Sequence, residues 1–282
     1  MTVQFDLTPY SKDFANQFDI RTEGFIDFFN LMSMGQGTMI KGQRADVTLA
    51  ADMNHEAHEE ISESNVRLYD VNIAELKFDA TKVRVSYQDI QKWGQANAID
   101  RKDRELMNAL GHHIESRLVA NLGDHAGTQI TEVDYKSALA MAKAEVNTKP
   151  GFKGSQSIAF VNTMDYYRYL ADSEVATAQN LFGMDYVKNF LGYSVIFFSS
   201  QVEKGTVFVT ADGNLNLAHI PANGPAFSAL ELTPSDNKLI GVKHYLNDNT
   251  GDIFTKVHFG LEAFAERTDA VVQVTIDEGV AA

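Results

Sequence analysis

The stretch from Asp100 to Gly123 constrains this chain most, because its apolar residues recur at intervals of three and four along its whole length. Ile99, Leu106, Met107, Leu110, Ile114, Leu118 and Leu122 fall on one broad face, which predicts a long helix. Asp100 is expected to cap the amino end by accepting an orphan backbone N–H, and Gly123 to end the helix in a left-handed turn. From Arg101 to Leu122 such a helix is about 33 Å long, enough to cross a small domain. Its polar face carries Lys102, Glu105, His112 and Ser116, while Arg117 and Asn121 intrude on the apolar side. That mixture predicts different neighbours along the rod. Periodicity by itself identifies no more than a core helix.

A chain of 282 residues, 44% hydrophobic, can bury a substantial core in one large domain or two smaller ones. It contains no cysteine, which excludes disulfides, thiolate metal sites and cysteine nucleophiles. No amino-terminal basic-then-apolar segment resembles a signal peptide, and no run of about 18 apolar residues would span a bilayer, so a soluble chain without a membrane partner is expected. Acids outnumber bases 38 to 24, a formal charge of −14. That balance opposes binding to phosphate backbones, which depends on clustered Lys and Arg. It suits a surface that lies near packed DNA without adhering to it.

Met1 to Glu23 reads as an arm in which Thr8 and Pro9 start a short helix with Tyr10, Phe14 and Phe18 on one side. These aromatics have no local core and need a surface on this subunit or on a neighbour. A second short helix is expected from Phe25 to Met32. Thr38 to Leu49 and Val66 to Phe78 have strand character, and between them Ala50 to Asn65 carries Asp52, Glu56, Glu59, Glu60 and Glu63 as a long acidic loop. Val83, Val85 and Tyr87 alternate as a half-buried strand. Beyond the long helix the pattern predicts helices at Asp134 to Val146 and at Met164 to Ala171, the latter capped by Asn162. Strands are expected at Ile158 to Val161, Tyr193 to Ser199, Thr206 to Thr210 and Val272 to Ile276. Leu239 to Leu246 and Ile253 to Glu266 flank an Asn, Asp and Gly turn and read as a β-hairpin.

Candidate chemistry is sparse. His55 and His58 lie three apart beside Glu56, Glu59 and Glu60, whereas two-histidine helical zinc sites space their ligands by four. A solvated acidic loop is the favoured reading, with a metal-dependent enzyme as a distant alternative. His112 and His113 point about 100° apart on a helix and cannot serve one site. Gly35 and Gly37 lack the third glycine of a dinucleotide loop. A Ser/His/Asp triad is not excluded by spacing, but no residues nominate one. The expectation is therefore no catalytic site, no metal and no cofactor, in a protein whose arm and loop want partners.

The order of parts resembles the major capsid protein of tailed bacteriophages, whose fold is also that of encapsulin nanocompartments. The resemblance is carried by the arm, the extended β-loop, the strand and the long helix, then by two segments. One is Leu191-Gly192-Tyr193-Ser194-Val195-Ile196 running to Gly205-Thr206-Val207-Phe208-Val209 and Asp212-Gly213-Asn214-Leu215; the other is Phe264 to Val274. It implies an α+β fold: an amino-terminal arm (1–22), an extended loop (37–77), a peripheral domain (23–36, 78–131 and 239–282) with a spine helix at 100–122, and a mixed α/β axial domain (132–238). It also implies a non-enzymatic shell protein forming pentamers and hexamers that enclose double-stranded DNA in a virion, assembled in the host cytoplasm with a portal protein. An arm that starts at Met1 is too short to be a cleaved scaffolding segment, so a separate scaffolding protein is expected. An encapsulin-like compartment is the nearest alternative. The expected inter-subunit contacts are Phe14, Phe18, Lys41 and the acidic Glu56, Glu59 and Glu60, the last three meeting Arg101, Lys102 and Arg104, or Lys149 and Lys153, of a neighbour.

Overall fold

In the computed structural model, which describes residues 6–48, 65–171, 179–181 and 184–277, the long helix starts earlier and ends later than its polar residues suggest. It spans Gln95–Asp124, 30 residues or about 45 Å. Asp100 is not its cap; it lies in the second turn and pairs with Arg104. The start is set instead by Gly94, whose φ of 77° ends the short preceding helix Tyr87–Trp93 and redirects the chain. Gly123 lies inside the last turn, next to Phe208, and His125 closes the helix.

In chain order the helices are α1 (Thr8–Ile26), α2 (Tyr87–Trp93), α3 (Gln95–Asp124), α4 (Tyr135–Thr148), α5 (Thr163–Ala171) and α6 (Pro225–Ser228). The first strands are β1 (Asn30–Ser33), β2 (Met39–Thr48), β3 (Asn65–Glu75), β4 (Asp79–Val85), β5 (Thr128–Glu132) and β6 (Ser157–Asn162). They are followed by β7 (Gln179–Leu181), β8 (Met184–Phe190), β9 (Tyr193–Ser199), β10 (Thr206–Ala211) and β11 (Leu215–His219). The last are β12 (Thr233–Pro234), β13 (Ile240–Asn247), β14 (Asp252–Phe259), β15 (Leu261–Ala265) and β16 (Val272–Ile276).

The arm is not free. Pro9 sits in the first turn of α1, and Phe14, Phe18, Thr22 and Phe25, spaced by three and four, turn one face inward. Phe14 and Phe18 are 1% and 0% exposed within the chain's own core, so the expectation that they reach a neighbour is corrected by burial. The helix expected from Phe25 to Met32 does not form either. α1 continues to Ile26, and Asn30–Ser33 becomes a strand parallel to β11.

A seven-stranded sheet, β5-β16-β10-β6-β9-β8-β7, forms the largest layer. Every residue of β6 and β10 is buried, because the sheet is covered on both faces. Ala138, Leu139, Ala142 and Val146 of α4 meet Ala159, Val161, Ile196, Val207 and Val209 on one side. On the other side Phe160, Phe197 and Phe208 join the core built by α1 and α3. The four-stranded sheet β12-β13-β14-β4 packs its inner face, including Val242, Val257 and Phe259, on that same core. The span Ile253 to Glu266, expected as one strand of a hairpin, is split at Gly260. A Cβ there would lie 2.5 Å from Ile220 Cδ1 and 3.0 Å from the Lys77 carbonyl, so glycine lets the chain leave β14 and enter the β1-β11-β15 sheet as β15.

If α1 is docked as described, Phe18→Ala costs about 3–5 kcal/mol of unfolding free energy, whereas Ile20→Ala, at a position 73% exposed, stays within about 0.5 kcal/mol of the parent. Urea denaturation of both variants checks this, and equal effects would contradict the docking.

Candidate assembly surfaces

β2 and β3 pair as an antiparallel ribbon about 33 Å long. Its base is tied to the body. Gln43 N–H donates to the Glu266 carbonyl at 2.6 Å, and Thr268 Oγ1 donates to the Gln43 carbonyl. Gly42 lets this happen: a Cβ there would meet Ile73 Cδ1 and Thr268 Cγ2 at 2.8 Å. Beyond Gln43 the strands have lost that support, and Leu68 and Tyr69 are 58% and 47% exposed. Lys41 stays within the ribbon, bonded to Asp70 at 3.0 Å with both side chains exposed. The acidic residues Glu56, Glu59 and Glu60, with His55 and His58, lie outside the described residues.

The basic residues at the start of α3 share an open concavity lined by Trp93, Arg101, Lys102, Arg104 and Glu105. Arg101 stacks over Trp93 at 4.8 Å and Lys92 approaches the same ring at 4.9 Å. Arg104 is held by Asp100, so Lys102 and Arg101 are the cations left to a partner there. Lys149 is committed internally, donating to Glu145 at 2.7 Å and to Thr128 Oγ1 at 3.0 Å; Lys153 is exposed. On the outer side of α1 a separate cavity combines Ile20 and Ile26 with Asp19, Glu23, Asp27 and Asp236.

Two polar networks went unseen in the sequence. Arg117 donates to Glu262 and Asp79, each at 2.9 Å, and Asn121 Nδ2 donates to Glu262 and the Ala263 carbonyl. These are the residues that intruded on the apolar side of the helix, and they bind α3 to β15 and β4. The second network unites residues far apart in sequence. Ser11 Oγ lies 3.0 Å from His244 Nδ1 and accepts the His244 backbone N–H at 2.9 Å. His244 Nε2 is 2.9 Å from Asp103 Oδ2, and Thr255 Oγ1 donates to Asp103 Oδ1 at 2.7 Å. The residue types are those of a hydrolase triad, yet Ser11 is only 3% exposed and its oxygen already receives a backbone N–H. The network instead locks α1, α3 and the β13–β14 hairpin together.

Several buried groups respond to pH. Burial pushes the Glu115 carboxyl up, partly offset by hydrogen bonds from Ser199 and His112. Burial also holds His219 and His258 below the usual imidazole range, with Lys256 adding to this at His258; the exposed His113 is lowered by partial desolvation and by Arg117. Both His258 ring nitrogens are buried without a hydrogen-bond partner among the described residues.

No protein-family model matches the chain, and no curated protein matches it by sequence. Solved structures do match in fold. A virus-like particle protein from Pyrococcus furiosus is 10% identical with a TM-score of 0.55, over 94% of this chain and 98% of that one. The SrpI encapsulin complex of Synechococcus elongatus is 14% identical with a TM-score of 0.53, over 91% and 88%. A structure of Mycobacterium phage Adephagia is 13% identical with a TM-score of 0.55, over 89% of each chain.

Two outcomes follow from the buried groups. Asp103→Ala leaves the His244 and Thr255 donors unpaired and costs about 2–4 kcal/mol; in a double-mutant cycle with His244→Ala, additive effects would show that the two do not interact. The three depressed histidines bind protons less readily folded than unfolded, so their contribution to stability is full above about pH 6.5 and declines as pH falls below it. His258→Leu flattens that decline in urea melts taken between pH 7 and 5, and an unchanged slope would remove His258 from the effect. With its α+β layers, ribbon and 30-residue helix, the chain has the shell fold shared by tailed-phage capsid proteins and encapsulins.

Proposed function

We propose that this protein is the subunit of a closed, self-assembling shell. The observation that carries the reading is the β2–β3 ribbon, tied down at Gln43 and bearing exposed Leu68 and Tyr69 beyond it. A two-stranded ribbon with apolar side chains in water is marginal alone and gains order by lying on another subunit. Many copies of a modest interface then sum to a stable particle.

The finer form of the proposal is the major capsid protein of a tailed phage, building an icosahedral head from pentamers and hexamers around double-stranded DNA. A separate scaffolding protein and a portal complete the assembly, which takes place in the host cytoplasm before the virion is released. Residues 132–238 form the axial domain in this reading, with β16 inserted into its sheet, and α3 is the spine of the peripheral domain. The net charge of −14 keeps most of the wall from adhering to packed DNA. The likeness to the SrpI encapsulin complex supports a second reading, a protein compartment without a genome.

Electron microscopy of the purified protein, alone and co-expressed with its genomic neighbours, is expected to show shells, rings or sheets; a monomer at every concentration would overturn the proposal. Particles containing DNA favour the phage head and particles containing protein favour the compartment. Within the shell reading, charge reversal of Glu56, Glu59 and Glu60 is expected to lower particle yield several-fold. Unchanged yield would remove the acidic loop as a contact.

A further inference from the structure

The outer face of the four-stranded sheet carries a row of three lysines, two of which have no carboxylate partner among the described residues. Direct cross-strand pairing sets Lys243 opposite Lys256, and Lys256 opposite Lys82. Three lysines therefore share one face and one register across three strands, their backbones spanning about 10 Å. Like charges directly opposite one another destabilise a sheet, so the row is unfavourable until an anion lies along it. Lys243 reaches Glu231 at 2.7 Å, but that carboxylate is 82% exposed and sits to one side. Lys82 lies 4.6 Å over the Phe254 ring, and neither it nor Lys256 has a carboxylate partner among the described residues.

The adjacent row is aromatic. Tyr245, Phe254 and Arg84 are in register on the same face, and the two rings stack at 22° with centroids 5.5 Å apart. Arg84 pairs with Asp252 at 2.9 Å and remains 61% exposed. The opposite face of these strands is the buried one, carrying Val242, Val257 and Val85. Lys82 and Arg84 are open to solvent, and Lys243, Tyr245, Phe254 and Lys256 are half-buried.

We propose that this face binds single-stranded nucleic acid, with the lysine row on phosphates and Tyr245, backed by Phe254, stacking a base. A cationic row beside a ring pair matches a chain that carries phosphates on one side and bases on the other. A duplex presents the phosphates but hides the base faces, so a single strand fits better. The charge of −14 does not forbid this, because charges farther than about 8–10 Å are screened at ordinary ionic strength and the row lies within that distance of its ligand. Glu231 and Asp252 beside the row keep the affinity modest. Binding is a property of the subunit and does not depend on the shell reading.

The test is fluorescence anisotropy of the full chain with a labelled oligothymidylate at 20–200 mM salt. Three phosphate contacts predict a slope of log K against log salt of about −2. Lys82→Glu with Lys256→Glu, both on the open face, is expected to weaken binding at least tenfold and to flatten the slope. Phe254→Leu is expected to weaken it about tenfold with the slope unchanged. A duplex of equal length is expected to bind less tightly. Absence of binding at low salt, or equal binding by the doubly reversed variant, would overturn the proposal. So would tighter capture of an Asp46-to-Glu63 peptide than of the oligonucleotide on the same lysines, which would make the row a receptor for the acidic segment of another copy.

Discussion

The fold depends on a single helix being buried against two different sheets. Toward its amino end α3 packs Leu106 and Leu110 beside Thr81 and Phe259 of the four-stranded sheet. Toward its carboxyl end Leu118 and Leu122 enter the core with Phe160, Phe197 and Phe208 of the seven-stranded sheet. Beside Leu118 and Leu122, Arg117 and Asn121 fix the same stretch of the helix to Glu262 and Asp79 with charge-assisted hydrogen bonds. A half-buried arginine is tolerated there because its guanidinium meets two carboxylates and a carbonyl. The helix is thus packed against both sheets and pinned by polar bonds in its last third.

Much of this was legible because local patterns and tertiary burial agreed. The period of α3, the helix expected from Asp134 to Val146, the β13–β14 turn and the apolar runs of β6, β9 and β10 all survive in the fold. Asn162 does accept the Met164 N–H at the start of α5. What failed did so for identifiable reasons. Asp100 looked like a cap because it precedes an apolar run, but Gly94 carries the conformational break and Asp100 has a cation four residues on. Phe25 and Phe28 read as a new helix because aromatics at that spacing fit either a helix or the end of one. The interruption at Gly260 depends on contact with Ile220 and Lys77, which no local window contains.

The candidate surfaces were less legible than the fold. Phe14 and Phe18 looked partnerless only because their partners lie far along the chain; the hydroxyl of Ser11 meets a histidine 233 positions away. The lysine row was equally invisible, since Lys82, Lys243 and Lys256 become neighbours only through strand register. The ribbon, by contrast, was readable from two strand-like runs around an acidic insert, because its pairing is local. Sequence reasoning therefore found the element that leaves the body and missed the networks that hold the body together.

β16 has a consequence for how the chain is made. It lies between β5, to which it is parallel, and β10, to which it is antiparallel, inside the seven-stranded sheet. Its neighbours precede it by roughly 65 and 145 residues, so the loops that must close are long and the layer is slow to complete. During synthesis the hydrogen-bonding edges of β5 and β10 stay open until Val272–Ile276 has left the ribosome. A truncated or stalled chain would present two unpaired edges with buried-type side chains, the surface on which misassembly begins. Placing a late strand in the middle of the sheet makes completion of the chain a condition for a well-formed fold.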